Sequence, residues 1–131
     1  MSETKVMALR EAINLAQSEE MRKDDKVFLM GEDVGVYGGD FGTSVGMLEE
    51  FGAKRVRDTP ISEAAIAGSA IGAAQTGLRP IVDLTFMDFV TIAMDAIVNQ
   101  GAKTNYMFGG GLKTPVTFRV ASGSGIGSAA Q

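Results

Sequence analysis

The sequence predicts an α/β domain: a mainly parallel sheet flanked by helices. Three observations predict it. The run at 27–30 is wholly apolar and does not alternate, as expected of a strand covered on both faces, and 80–84 is a second, mostly apolar run. Helix-period stretches separate these runs. Acidic residues stand at strand ends, Glu32-Asp33 after 27–30 and Asp58 closing a strand over 55–58, where open α/β sheets place their ligands. The chain has 131 residues, 45% of them hydrophobic. That suffices for one domain, which buries roughly two thirds of its unfolded surface.

In chain order, 5–23 reads as a helix. Met7, Ala8, Ala12, Ile13, Leu15 and Ala16 recur at helical spacing, and Glu11, Glu19, Glu20, Arg22 and Lys23 mark a wet face. Asp24-Asp25 end it, and the strand 27–30 closes on Gly31. The glycine-rich segment 34–42 reads as a long loop, with Tyr37 and Phe41 its large side chains. Thr43 or Ser44 caps a short helix that runs through Phe51 and stops at Gly52. A strand over 55–58 leads to Pro60, which fixes its own φ and holds Thr59 extended.

Ser62 is a good helix N-cap, and Glu63 sits in the first turn, where the helix dipole favours negative charge. The helix 63–75 is almost all small. Gly68 and Gly72 share one face, which points to close packing on a sheet or another helix. Gly77 ends it. A strand over 80–84 follows, then a helix from about 88 to 102 with Ile92, Ala93, Ala96 and Ile97 inward, a loop at 109–111 and a strand over 114–120.

Composition excludes several classes of chemistry. Twelve basic against sixteen acidic residues give −4, and no basic run tracks a phosphate backbone, so nucleic acid is not an expected partner. There is no cysteine for a disulfide or a thiolate metal site. There is no histidine, which rules out a His-based triad, imidazole base or His-ligated metal within this segment. The N-terminus lacks a signal pattern and no apolar run reaches membrane length, so the expectation is a cytoplasmic protein away from the membrane.

The motifs of phosphate binding are weak. Gly123, Gly125 and Ser128 come near the dinucleotide pattern G-x-G-x-x-G, but the third glycine is missing. The phosphate loop G-x-x-x-x-G-K-[ST] does not occur. Glu32-Asp33 as an acid pair reads first as a solvated strand end. Glu63 has two readings: a surface residue tuning a helix start, or a carboxylate at the ligand edge of the sheet.

Taken together, certain segments resemble a known family. They are Gly31-Glu32-Asp33-Val34-Gly35, Asp58-Thr59-Pro60-Ile61-Ser62-Glu63, Gly77-Leu78-Arg79-Pro80-Ile81, Phe86-Met87-Asp88-Phe89, Asn99-Gln100-Gly101-Ala102-Lys103 and Tyr106-Met107-Phe108-Gly109-Gly110. In this order and spacing the chain resembles, end to end, the N-terminal part of the β subunit of the thiamine diphosphate-dependent first component of 2-oxo acid and acetoin dehydrogenase complexes. The last two segments most resemble the acetoin branch.

The resemblance implies a transketolase-like, pyrimidine-binding fold. It implies that Glu63 hydrogen-bonds the aminopyrimidine ring nitrogen of thiamine diphosphate, whose carbanion chemistry the protein serves by placing a proton. It makes Ile61 a cofactor-pocket residue and Phe89 an aromatic against the aminopyrimidine. Thr85 stands where some relatives carry a glutamine, and Glu32 belongs to an acidic network beside the site. Carbonyls around Val116 and Thr117 match a structural potassium site of some relatives. No metal-binding side chain is expected here, because the α subunit of the family holds the diphosphate and its Mg2+. The implied partners are an α subunit and a second β subunit in an α2β2 assembly, and a lipoyl acyltransferase core. The family continues past Ala129-Ala130-Gln131 with a His-Ser pair and a C-terminal domain, so residues 1–131 read as a pyrimidine-binding domain cut from a longer subunit, inactive alone. The alternative reading is a non-catalytic α/β nucleotide-binding module using Gly123 to Gly127.

Overall fold

A computed structural model of the chain describes residues 6–125 and 127. The elements, in order, are α1 (Leu9–Lys23), β1 (Val27–Gly31), α2 (Met47–Phe51), β2 (Val56–Asp58), α3 (Glu63–Gln75) and β3 (Arg79–Phe86). A 3-10 turn (Met87–Phe89), α4 (Val90–Asp95), a π-helical segment (Ala96–Ala102), α5 (Thr104–Met107) and β4 (Thr117–Ala121) follow. The four strands are parallel, in the order β2-β1-β3-β4. The expected α/β class and parallel sheet are therefore found.

Both faces of β1 are covered, which is why all five of its residues are buried. Phe28 and Met30 join Val82 and Leu84 of β3, Ile66, Ala67 and Ala70 of α3, and Val90 and Ala93 of α4 in one apolar layer. Val27 and Leu29 face the other way, onto Met21 of α1, Met47 of α2 and Val56 of β2. Ala67 and Ala70 are fully buried. Small side chains there let α3 lie close on the sheet.

Several expectations need correction. The first helix starts at Leu9, with Ala8 at its N-cap and the Glu11 carboxylate accepting the Ala8 N–H at 3.1 Å. Lys5 lies outside the described residues. The buried side chains of α1 are Gln17, Ser18 and Met21, while Leu15 and Ala16 are exposed. The inner face of α1 is thus marked by Met21 and by Gln17, whose side-chain amide donates to the Thr43 carbonyl at 3.0 Å, rather than by Leu15 and Ala16.

Other corrections concern ends and faces. Neither Thr43 nor Ser44 caps α2, whose N-cap is Gly46 at φ 79°. Ser62 occupies the N-cap of α3 but its hydroxyl makes no capping bond. Gly68 and Gly72 are exposed, and a Cβ at either would meet nothing within 4 Å. The close approach falls instead on Gly101, where a Cβ would come within 3.3 Å of Ile71 Cδ1 of α3. The long helix expected over 88–102 is a 3-10, α and π succession, and Val90 is buried while Ile92 is exposed. The outer strands begin later than expected, at Val56 and Thr117.

Candidate functional site at the carboxyl edge of the sheet

In the order β2-β1-β3-β4 the chain passes from β1 to one side and then crosses back to β3 and β4 on the other. The reversal lies between β1 and β3, so the ligand crevice of such a sheet opens beyond the carboxyl ends of these two strands. Register fixes what meets there: Gly31 pairs with Asp58 of β2 and with Asp83 of β3, and Phe86 pairs with Ala121. Glu32 follows β1, Glu63 opens α3 after β2, and Thr85 and Phe89 stand at the end of β3.

Glu63 is not a surface residue. Its exposure is 6%, and its carboxylate makes no hydrogen bond among the described residues. A carboxylate so enclosed is open to a donor that reaches it from the crevice. Glu32 is half-buried, and its Oε1 is buried with no hydrogen-bond partner. Burial raises the Glu32 carboxyl above the ordinary glutamate range, and the nearby Glu63 charge adds to the rise, against the Ser62 backbone amide.

The remaining candidates divide. Thr85 is buried and has φ 61°, a left-handed conformation unusual for a β-branched residue. Phe89 is half-buried and meets Phe86 edge-on at 5.9 Å; Phe86 meets Phe41 in the same way at 5.6 Å. Ile61 is 82% exposed, so it lines no cavity within this chain. A groove of about 590 Å³ opens beside this row, lined by Phe41, Phe86, Met87, Asp88, Thr91 and 121–124.

Two features were not foreseen. Asp58 accepts the Gly35 N–H at 2.6 Å and the Val36 N–H at 3.4 Å, tying the loop after β1 to the end of β2. Asp83 and Arg119 form a cross-strand ion pair, and Arg119 also donates to the Thr43 hydroxyl. Burial pushes the Asp83 carboxyl up and the Arg119 guanidinium down, each opposed by the other's charge. The signal was present: Asp83 and Arg119, of opposite sign, each stand between apolar neighbours inside a strand.

Among the described residues no group of three or more His, Cys, Asp or Glu side chains converges to hold a metal ion, and no helix is long and apolar enough to cross a membrane. Among these residues no helix follows Gly123 or Gly125, and Ser128 lies outside them.

Residues 5–131 match the family described as transketolase, pyrimidine binding domain. The chain is 51% identical over 125 residues to the pyruvate dehydrogenase E1 component subunit beta of Rickettsia bellii, covering 95% of this chain and 38% of that protein. It is 46% identical over 139 residues to the acetoin:2,6-dichlorophenolindophenol oxidoreductase subunit beta of Bacillus subtilis, covering 97% and 41%. It is 48% identical over 130 residues to the mitochondrial pyruvate dehydrogenase E1 component subunit beta of Saccharomyces cerevisiae, covering 99% and 36%. The chain thus spans roughly two fifths of the length of these relatives. With its parallel sheet, its buried acidic residue at the carboxyl edge and a match over nearly its whole length, the chain belongs to the family of transketolase pyrimidine-binding domains.

Proposed function

We propose that this chain is the pyrimidine-binding part of the β subunit of a thiamine diphosphate-dependent dehydrogenase component. Its assembly would decarboxylate a 2-oxo acid or cleave acetoin and pass the acyl group to a lipoyl carrier. The observation that carries this reading is Glu63: a buried carboxyl with no hydrogen-bond partner, at the ligand edge of the sheet. A carboxyl in that state suits a ring nitrogen that must gain and lose a proton. When bound, thiamine diphosphate supplies the carbanion chemistry.

Glu63 would hold the proton at the aminopyrimidine nitrogen. Glu32, whose carboxyl burial and the Glu63 charge raise above the ordinary glutamate range, would stand beside it in the acidic network. Phe89, braced by Phe86, offers an aromatic face to the heterocycle. Thr85 would line the same edge, and Ile61 would touch the cofactor from a position that this chain leaves open. No phosphate loop occurs in the sequence, so the diphosphate and Mg2+ would be held by an α subunit. The carbonyls around Val116 and Thr117 would take a structural potassium ion.

The proposed assembly is α2β2, docked on a lipoyl acyltransferase core. Exposed Ile61, Tyr106, Met107 and Phe108 and the open Gly68/Gly72 face of α3 support partner contact.

The test is titration of thiamine diphosphate and Mg2+ into the full-length β subunit with its α partner, with proton exchange at the thiazolium carbon followed by NMR. Glu63→Gln is expected to keep binding and to slow exchange about 100-fold or more, the usual worth of a positioned acid–base group. Exchange at the unsubstituted rate would defeat the reading.

A further inference from the structure

The strand that ends at the candidate site carries an unusual joint. Thr85 and Asp33 are the non-glycine residues with positive φ among those described, and Thr85 is β-branched and buried. The pairing of β3 with β4 slips between Asp83 and Phe86, on either side of this joint. One oxygen of Asp83 accepts the Thr85 N–H at 2.9 Å. The other accepts from Arg119, which reaches on to the Thr43 hydroxyl. An ion pair between facing residues of adjacent strands has no need of residue 85. Here the carboxylate is divided between the guanidinium and an amide two residues on. Returning Thr85 to an extended conformation breaks a bond whose acceptor cannot follow without leaving Arg119.

We propose that the Asp83–Arg119 pair positions the site: it holds Thr85 in the left-handed conformation and so sets the direction in which β3 delivers Phe86 and Phe89 to the ligand edge. The edge-on contacts of Phe86 with Phe41 and with Phe89 fix the row once its direction is set. Asp83 and Arg119 are positioning residues, acting through the backbone at Thr85. The effect on cofactor affinity rests on the proposed reading of Phe89; the effect on the backbone does not.

The test is a cycle of Asp83→Asn and Thr85→Gly in the full-length β subunit with its α partner. It is read by thiamine diphosphate titration, by thermal midpoint and by amide hydrogen exchange over residues 84–90. An asparagine side chain has one acceptor oxygen in place of two and carries no charge, so it cannot present separate oxygens to Thr85 and to Arg119. With Thr85 in place, Asp83→Asn is expected to weaken cofactor binding and to speed exchange over 84–90, each by roughly tenfold, the scale of one strained backbone residue. With Thr85→Gly already present, the same change should weaken binding by less than about threefold, because glycine takes the left-handed conformation unaided. The fall in thermal midpoint should persist in both backgrounds, since the Arg119 guanidinium loses its charged partner in each.

Equal affinity losses and equal exchange increases in the two backgrounds would overturn the proposal and leave a plain buried ion pair. If Asp83→Asn does not fold, Arg119→Lys replaces it in the cycle, with the same expectation, since one ammonium cannot span Asp83 and Thr43. If the unsubstituted assembly does not bind thiamine diphosphate, the functional reading fails, and the exchange measurement alone decides the positioning role.

Discussion

On one face of the sheet, Phe28, Met30, Val82 and Leu84 meet Ile66, Ala67 and Ala70 of α3 in an apolar layer, and the charge that touches it is the Arg57 guanidinium over the Phe28 ring. On the other, apolar Val27 and Leu29 share the layer with buried Gln17, Ser18, Thr43 and Ser44 and with the Asp83–Arg119 pair. β3 serves both, alternating Val82 and Leu84 with Asp83 and Thr85. The difference teaches that the two faces do different work. The apolar face supplies burial, which is non-directional and tolerates similar shapes. The polar face supplies directed bonds, each with one correct geometry, and these bonds end at the strand termini where the candidate site lies.

Breaking the polar face should have the largest effect. Asp83→Ala strands the Arg119 guanidinium and is expected to cost about 4 kcal/mol in urea unfolding of the intact chain. Replacing both partners, as Asp83→Leu with Arg119→Met, should recover most of that loss; a double variant no better than Asp83→Ala would show that the pair is worth more than an apolar substitute. On the apolar face, Leu84→Ala removes a fully buried side chain and should cost about 3 kcal/mol in the same unfolding measurement. A stability unchanged within error would mean that α3 and α4 can collapse into the gap.

A smaller effect is expected at the tie between the first two strands. A Cβ on Gly35 would fall 2.5 Å from Asp58 Oδ2. Gly35→Ala should therefore push the loop off Asp58 and cost about 2 kcal/mol, with faster exchange of the Val36 amide as the diagnostic.

The smallest effect is one of pH. The folded chain holds the Glu32 proton to higher pH than the unfolded chain, because burial and Glu63 oppose its charge. Between the ordinary glutamate range and that raised value the folded state binds more protons, so stability falls as pH rises through this window. Glu32→Gln should flatten that slope and raise stability above it, while leaving stability at lower pH nearly unchanged. A slope identical in the two proteins would remove Glu32 from the acidic pair.

Much of the fold was legible. The unbroken apolar run at 27–30 read as a strand covered on both faces, and all five residues of β1 are buried. Glu63 was legible as a position but not as a state: the turn at Pro60 and the start of α3 were readable, its burial was not. The inner face of α1 was misread because Gln17 and Ser18 go inside on hydrogen bonds, which periodicity does not weigh. The Gly68/Gly72 face was read as packed and is open, since a small residue marks either a close neighbour or none.

By itself the sequence determined the class of fold, the positions of its strands and the absence of histidine and cysteine chemistry, because period, composition and residue type are local facts. Tertiary structure alone decided that Glu63 would be enclosed, that Asp83 would face Arg119, and that Thr85 would turn left-handed between them. Each of those depends on which strands become neighbours and in what register, and that is settled only when residues more than thirty positions apart come together.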